Sequence, residues 1–538
     1  MPVYGNKNAF VGLVIELRAI GPVPIIIGQG ICGIVGTSSR GPTNEAVPVG
    51  MPTTGKRLYH SGDLKEAVEL AFQQGCPVVY AVRVLGSGNK KASHDVKDEA
   101  STPTKVGTFY ATSEGIWGNS VIITIEDGEY KSTDVEIFGG DDTVGPYALK
   151  VCDIIESPRN YVKVNGIPRK IVYDEDELGE GEVFVDTQNG KIKFYTDEAP
   201  TTAETISVYV KYKTINVILT DNEITETYRN IRDLIDLQAR LRSSVLATFT
   251  PAAGALHLPA NGTFALSEGS DGEEITTDDW EQALYLLGNT IAPTTVAITS
   301  YEVKPMSYDL IPVLDGFVTW MANRFQPCIG FVSARENESV ANLLDLAAGY
   351  NNRLLVIEGN GWDQSNPRKN LAVAHAAKEA AVALGESTAL ARNSLNGVRD
   401  LLVTFNQDEM DALTRGGINV FMKQRGIKPY VSISTATDWQ FMRCVDNRTI
   451  NWIITALDYV CKQFYHQRRT PEVLTALKAS IEGILDEQVT LGNVEKYHVE
   501  VVPSEIDINR VDVELLVQNI GHIERVRVVF GVGVLLNE

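Results

Sequence analysis

Three things are scarce in this 538-residue sequence: cysteine, positive charge and long uninterrupted apolar runs. The six cysteines, Cys32, Cys76, Cys152, Cys328, Cys444 and Cys461, are widely spread. No two stand at metal-ligand spacing, and their density is far below that of a disulfide-stapled secreted domain, so buried free thiols are expected. Lys and Arg number 48 against 69 Asp and Glu, a net charge of −21. Such a chain is repelled by phosphate backbones and by anionic lipid, and its most basic runs are only Lys90-Lys91 and Arg468-Arg469. Neither nucleic acid nor direct membrane insertion is therefore expected. The two longest uncharged stretches, 19–39 and 243–267, are broken by Pro22, Pro24, Pro251 and Pro259 and by several glycines, which suits strands and turns better than a membrane span. The first residues, Met1-Pro2-Val3-Tyr4-Gly5-Asn6-Lys7, lack a basic-then-apolar secretory pattern. The seven histidines form no His-Glu-x-x-His pair, and no Gly-x-Ser-x-Gly elbow occurs. Fixed-period repeats and low-complexity tracts are missing too.

What is present is an ordinary globular composition, 44% hydrophobic and 22% charged, in a chain long enough for two to four domains. Residues 9–17 are mostly apolar and read as a strand with nothing before it to pair with. A strand over 25–35, a helix opened by Ser61-Gly62-Asp63 and stopped by Gly75, and a strand over 77–84 make a strand-helix-strand unit. From 106 to 217 helical periodicity disappears and short alternating runs take over, such as Tyr161-Val162-Lys163-Val164, divided by turn signals at Asn165-Gly166 and Asn189-Gly190. This predicts an all-β insertion. From 218 to 395 helices (223–242, 280–287, 307–324, 339–348, 369–384) alternate with strands (245–249, 295–299, 328–332, 354–357), which predicts a parallel sheet covered by helices. Helices are then expected near 407–415, 447–466 and 471–487, and strands over 497–502, 511–517 and 523–536 as a closing meander.

Two glycine motifs imitate nucleotide sites. Gly28-Gln29-Gly30-Ile31-Cys32-Gly33 matches the dinucleotide fingerprint, but Ile34-Val35-Gly36-Thr37 continues as strand and opens no helix. Gly50 to Lys56 matches a P-loop up to its last residue, where Arg57 replaces the Mg²⁺-binding hydroxyl; the next helix is expected only at Ser61. Asp174-Glu175-Asp176-Glu177 reads as a solvated turn, and His375, in an alanine-rich helix, as a packed or surface residue. No catalytic, cofactor-binding or metal-binding residue is assigned.

At four places the sequence resembles the contractile tail sheath family. Ile34-Val35-Gly36-Thr37-Ser38-Ser39-Arg40-Gly41-Pro42, with Ala81-Val82-Arg83-Val84 closing the unit, is similar to the family's early strand and its Arg-Gly-Pro turn. Ile116-Trp117-Gly118-Asn119 resembles the motif entering the inserted β region. Leu266 to Gly272, before the helix at Trp280, resembles the start of the middle domain. Gly416-Gly417-Ile418-Asn419-Val420, followed by Trp439 and Arg443, completes the order. The resemblance runs end to end, with 140–217 matching only as a variable insertion. A type VI sheath is usually split between two chains, which argues mildly against that system.

The resemblance implies a structural subunit of a virion tail or a related injection particle, assembled in the cytoplasm, polymerising as a helical homo-oligomer around an inner tube protein and meeting baseplate and terminator proteins. No enzyme activity and no cofactor are implied. The expected architecture combines α/β and α+β units: an N-terminal arm (1–18), the strand-helix-strand region (19–105), the inserted β domain (106–217), an α/β middle domain (218–395), a C-terminal α+β assembly domain (396–522) and a C-terminal arm (523–538). The family's terminal arms add strands to a neighbour's sheet. The residues expected to carry this are Phe10, Val11, Leu13, Val14, Ile15 and Leu17 in the N-terminal arm, and Val526, Val528, Val529, Phe530, Val532 and Val534 in the C-terminal one. Contact with the tube is expected through a helix between 447 and 487, with the inserted β region facing outward. An α/β nucleotide-binding enzyme, and a baseplate or surface-layer polymer, are the competing readings.

Overall fold

A computed structural model describes residues 30–522 except Glu302 and Ala391, together with the backbone of Val3–Tyr4 and Ile15–Glu16. Its largest core surrounds a six-stranded sheet built from β1 (Ile31–Gly36), β2 (Val47–Val49), β3 (Val78–Arg83), β4 (Thr295–Thr299), β5 (Ile329–Ser333) and β6 (Leu355–Glu358). The order across the sheet is β6-β5-β4-β1-β3-β2. All neighbours are parallel except the edge strand β2. Strands β4, β5 and β6 are buried along their whole length, which is why they read as continuous apolar runs and not as alternating ones.

Helices α1 (Pro52–Tyr59) and α2 (Asp63–Gln73) link β1 to β3 around β2. Helix α3 (Thr277–Thr290) leads into β4, α4 (Ile311–Asn323) joins β4 to β5, α5 (Val340–Ala348) joins β5 to β6, and α6 (Leu371–Ala381) follows β6. Helices α2 and α6 pack together, as do α3 and α4. Gly33 belongs to this packing and not to a phosphate loop: a Cβ there would lie 2.5 Å from Leu287 on α3. The expectation that no helix begins near Lys56 is corrected. Helix α1 starts at Pro52, whose fixed φ suits the first turn, and Gly55 lets Val68 of α2 pack against it.

The sequence division into a 19–105 region and a 218–395 domain does not follow the sheet. Strand β1 pairs with β3 on one edge and with β4 on the other, and all three share one core, so one α/β unit is assembled from both sides of an insertion. The insertion is also wider than 106–217. Strands Ser93–Lys97, Lys105–Ala111 and Ala247–Pro251 form one sheet; Ile122–Asp127, Ile215–Thr220, Thr225–Ile231 and Gly262–Ala265 form another. Both close on a core containing Phe109, Ile123, Val217, Leu219 and Phe249. The helix expected over 223–242 is instead the strand Thr225–Ile231 and a short helix, Leu234–Leu241, started by the side chain of Asp233, which accepts from Asp236 N. The apolar spacing of Ile224, Tyr228 and Ile231 fits either period, and pairing antiparallel with 215–220 makes it a strand.

Nested inside this β unit is a third core. A seven-stranded sheet between Glu136 and Tyr209 buries Val162, Val164, Val183, Val185, Ile206 and Val208 on one face. Its entry and exit strands run side by side, with Gly128 N donating to Thr214 O and Thr133 N to Val210 O.

The C-terminal part contains α7 (Gln407–Arg415), α8 (Cys444–Lys462), α9 (Pro471–Thr490) and a hairpin of β7 (Val494–Pro503) and β8 (Val511–Asn519). Trp452, Ile453, Ile481, Leu485 and Val499 lie in a fourth core between the two helices and the hairpin. The third strand of the expected meander, 523–536, lies outside the described residues.

Candidate assembly and coupling sites

The hairpin is the strongest candidate for assembly. Tyr497, Val499 and Val501 on β7 face Val517, Leu515 and Val513 on β8 across the ladder, and this side packs toward α8 and α9. The opposite side pairs His498 with Leu516 and Glu500 with Glu514. The sheet contains these two strands alone, so among the described residues each strand has one edge without a partner. A two-stranded sheet with open edges is a template for further strands. The loop between the strands holds Ile506 and Ile508, 94% and 75% exposed.

Of the N-terminal candidates, Ile15 lies in the strand Ile15–Glu16, which pairs antiparallel with Val3–Tyr4. That segment therefore does have a partner before it, contrary to expectation. Phe10, Val11, Leu13, Val14 and Leu17, and all of Val526, Val528, Val529, Phe530, Val532 and Val534, lie outside the described residues. Trp439 is exposed on the loop before α8.

Three of the four motifs meet at one place, the junction between the α/β core and the inserted β unit. Arg83, at the end of β3, is buried, and its guanidinium donates to four backbone carbonyls: Nε to Ser38 (2.9 Å), Nη1 to Gly41 (2.9 Å) and Glu114 (2.8 Å), Nη2 to Ser39 (3.0 Å). Burial lowers its pKa to about 10, with Asp271 and Glu114 opposing. Arg40 pairs with Asp221 at 3.1 Å and lies over the Trp117 ring. Asn119 exchanges two hydrogen bonds with the backbone of Gly269, and Asp271 accepts from Ile116 N. The chain leaves and re-enters the core through a neck in which Lys90 and Ser270 exchange backbone hydrogen bonds. There Gly272, at φ +85°, comes so close that a Cβ would lie 2.5 Å from Gly86 O.

A cleft of about 720 Å³ opens beside this neck at the carboxyl ends of β1, β3 and β4, where doubly wound sheets commonly hold ligands. The Asp63 carboxylate, at the first turn of α2, accepts from Tyr301 N at 2.8 Å and from Thr37 Oγ1 at 3.4 Å.

The fourth motif leads to a buried cluster that sequence reasoning missed. Asn419 Nδ2 donates to Glu358 at the end of β6. Glu358 Oε1 lies 2.6 Å from His375 Nδ1, and His375 Nε2 lies 2.9 Å from Ser432 Oγ and 3.2 Å from Thr388 Oγ1. Both hydroxyls donate onward to Glu379 Oε1, at 2.7 and 2.6 Å. Arg448 of α8 sets Nε 2.7 Å from Glu379 Oε2. Ser432, His375 and Glu358 thus have the spacing of a nucleophile-base-carboxylate triad. The ring, however, is held as a cation. Burial pushes its pKa down, but the carboxylate of Glu358, helped by Glu379, raises it to about 9. Burial likewise works against Glu379 ionising, and Arg448 foremost overrides it, to about 2. An imidazolium already donating from both nitrogens has no lone pair to accept the serine proton. The only advance signals were a charge closing the apolar strand Leu355–Glu358 and a histidine inside an alanine helix.

No protein-family model and no curated protein sequence matches the chain. Solved structures do. A sheath tail protein from Listeria innocua superposes with a TM-score of 0.56 at 13% identity, over 91% of this chain and 92% of that one. A sheath tail protein from Desulfitobacterium hafniense superposes with a TM-score of 0.56 at 11% identity, over 95% of this chain and all of that one. Over more than nine-tenths of its length, the chain has the fold of these sheath tail proteins.

Proposed function

We propose that this chain is the structural subunit of a contractile tail sheath. It polymerises helically around an inner tube and contracts to drive that tube through a target envelope, as part of a virion tail or a related injection particle assembled in the cytoplasm. The observation that carries the reading is the C-terminal hairpin, two-stranded and open-edged among the described residues, on a chain sharing its fold with two sheath tail proteins over nearly its whole length. Backbone hydrogen bonds at a strand edge supply affinity in any register-compatible partner, and a head-to-tail contact that does not close a ring generates an open helix. The arms 1–18 and 523–538 are the strands that neighbouring copies add there. Helices α8 and α9 lie nearest the tube, and the nested seven-stranded unit faces outward. Contraction requires no nucleotide, because an extended lattice assembled in a metastable state stores the energy. Baseplate and terminator proteins end the polymer.

Negative-stain microscopy of the purified chain, alone and with tube protein, tests this. Hollow tubes of uniform width are expected, and monomers from variants lacking 1–18 or 523–538. Tubes formed equally well by both truncated variants would sink the arm assignment.

A further inference from the structure

Helix α8 is unusual in what it turns toward the α/β core. Asn447, Arg448 and Asn451, at helical spacing, are all buried against it. Asn447 Nδ2 donates to Arg353 O at 2.8 Å, Arg353 Nη1 to Asn451 Oδ1 at 2.8 Å, and Cys444 N to Ser432 O at 3.1 Å. The apolar side of the same helix, Trp452, Ile453, Ala456 and Val460, belongs to the separate core shared with α9 and the hairpin. Across the joint the described apolar contacts include Cys444 of α8 in the α/β core and Leu384 against the C-terminal core, beside this polar set, and the unit has its own apolar centre.

Charge closes the joint. Glu358 and Glu379 are balanced by His375 on the same side and by Arg448, which only α8 supplies. Arg448 also caps the end of α6, with Nη1 donating to Glu379 O and Val382 O and Nη2 to Glu386 O. Withdrawing α8 leaves two buried carboxylates facing one imidazolium and three carbonyls without that donor. Keeping α8 docked sets the guanidinium 2.7 Å from Glu379 Oε2 and gives the three carbonyls their donor.

We propose that this charge quartet is a latch: the C-terminal unit, 444–519, docks on the α/β core as a preformed body and, when the quartet is broken, comes away with its own core intact. A joint held by buried polar and charged groups beside its apolar contacts can release without unfolding the unit behind it, because the unit keeps its own apolar centre.

Hydrogen exchange on the full unassembled chain tests it. In Arg448→Met, amides at the joint (379–386 and 444–451) are expected to exchange at least tenfold faster, while α9, the hairpin and strands β1 and β4 keep wild-type protection. Arg448→Gln removes the same charge while keeping a polar side chain and serves where the first variant is insoluble, with the same pattern expected. The double variant Glu379→Gln, Arg448→Met removes one charge of each sign and recovers part of the lost protection. Unchanged exchange at the joint, or joint, α9 and hairpin losing protection together, would overturn the latch.

Discussion

Single side chains carry much of the coupling between the parts of this molecule. Arg83 donates to four carbonyls at a buried junction, one of which, Glu114 O, also accepts from Trp117 Nε1. Lysine presents a point charge where a planar fork is needed, so Arg83→Lys should destabilise the junction by about 2–4 kcal/mol, read as a lowered denaturant midpoint. His375 gives a pH signature. Its folded pKa, about 9, stands above its ordinary value near 6.5. The stabilisation is thus full below about 6.5 and is lost as the pH climbs through about 9. Glu379, held near 2, works the other way: its contribution is present above the ordinary carboxylate range and is lost as the pH falls through about 2. Thermal unfolding followed from pH 6.5 to 9.5 should show a falling midpoint, and His375→Gln should flatten that slope. An unchanged slope in the variant would assign the alkaline loss elsewhere.

At the scale of elements, the hairpin is weakened on its outer side. Glu500 and Glu514 stand directly opposite each other, a like-charge pair that costs stability. Glu514→Lys should stabilise the isolated chain by about 0.5 kcal/mol, measured by exchange protection across β7 and β8. The elements themselves were unevenly legible. Thr295–Thr299 and Gln407–Arg415 stood in the sequence with their observed limits, because a buried parallel strand and a capped amphipathic helix each leave an unambiguous pattern. Thr225–Ile231 did not, since its apolar spacing fits either period and only pairing with 215–220 decides it. The 19–105 boundary failed for a related reason: which strand lies beside β1 is a matter of topology that local pattern does not encode. The charge quartet was the least visible feature. His375 and Glu379 stand four residues apart on α6, the one local hint, whereas Glu358 and Arg448 come from distant stretches that nothing in the sequence ties to them.

For the whole molecule, nesting means that one unit can be removed without disturbing the next. The strands entering and leaving the seven-stranded unit are already hydrogen-bonded to each other at Thr133 and Val210, and again at Gly128 and Thr214. Replacing 131–211 by a short glycine-containing turn should leave a soluble chain whose α/β core keeps its exchange protection, and its tubes should be thinner at the outer surface. Loss of protection in β1 and β4 would show that the nested unit braces the core.

The same nesting sets a timetable for synthesis. Cys32 of β1 pairs with Thr295 of β4, 263 positions later by the difference of their numbers. At about 5–20 residues per second, one edge of β1 waits roughly 15–50 s for its neighbour to leave the ribosome. During that interval the inserted β units have all their own strands and can close first. The nascent chain thus carries an apolar, half-paired strand beside finished modules. Slowing translation between 84 and 294 should therefore lower the yield of soluble chain more than an equal delay after 360.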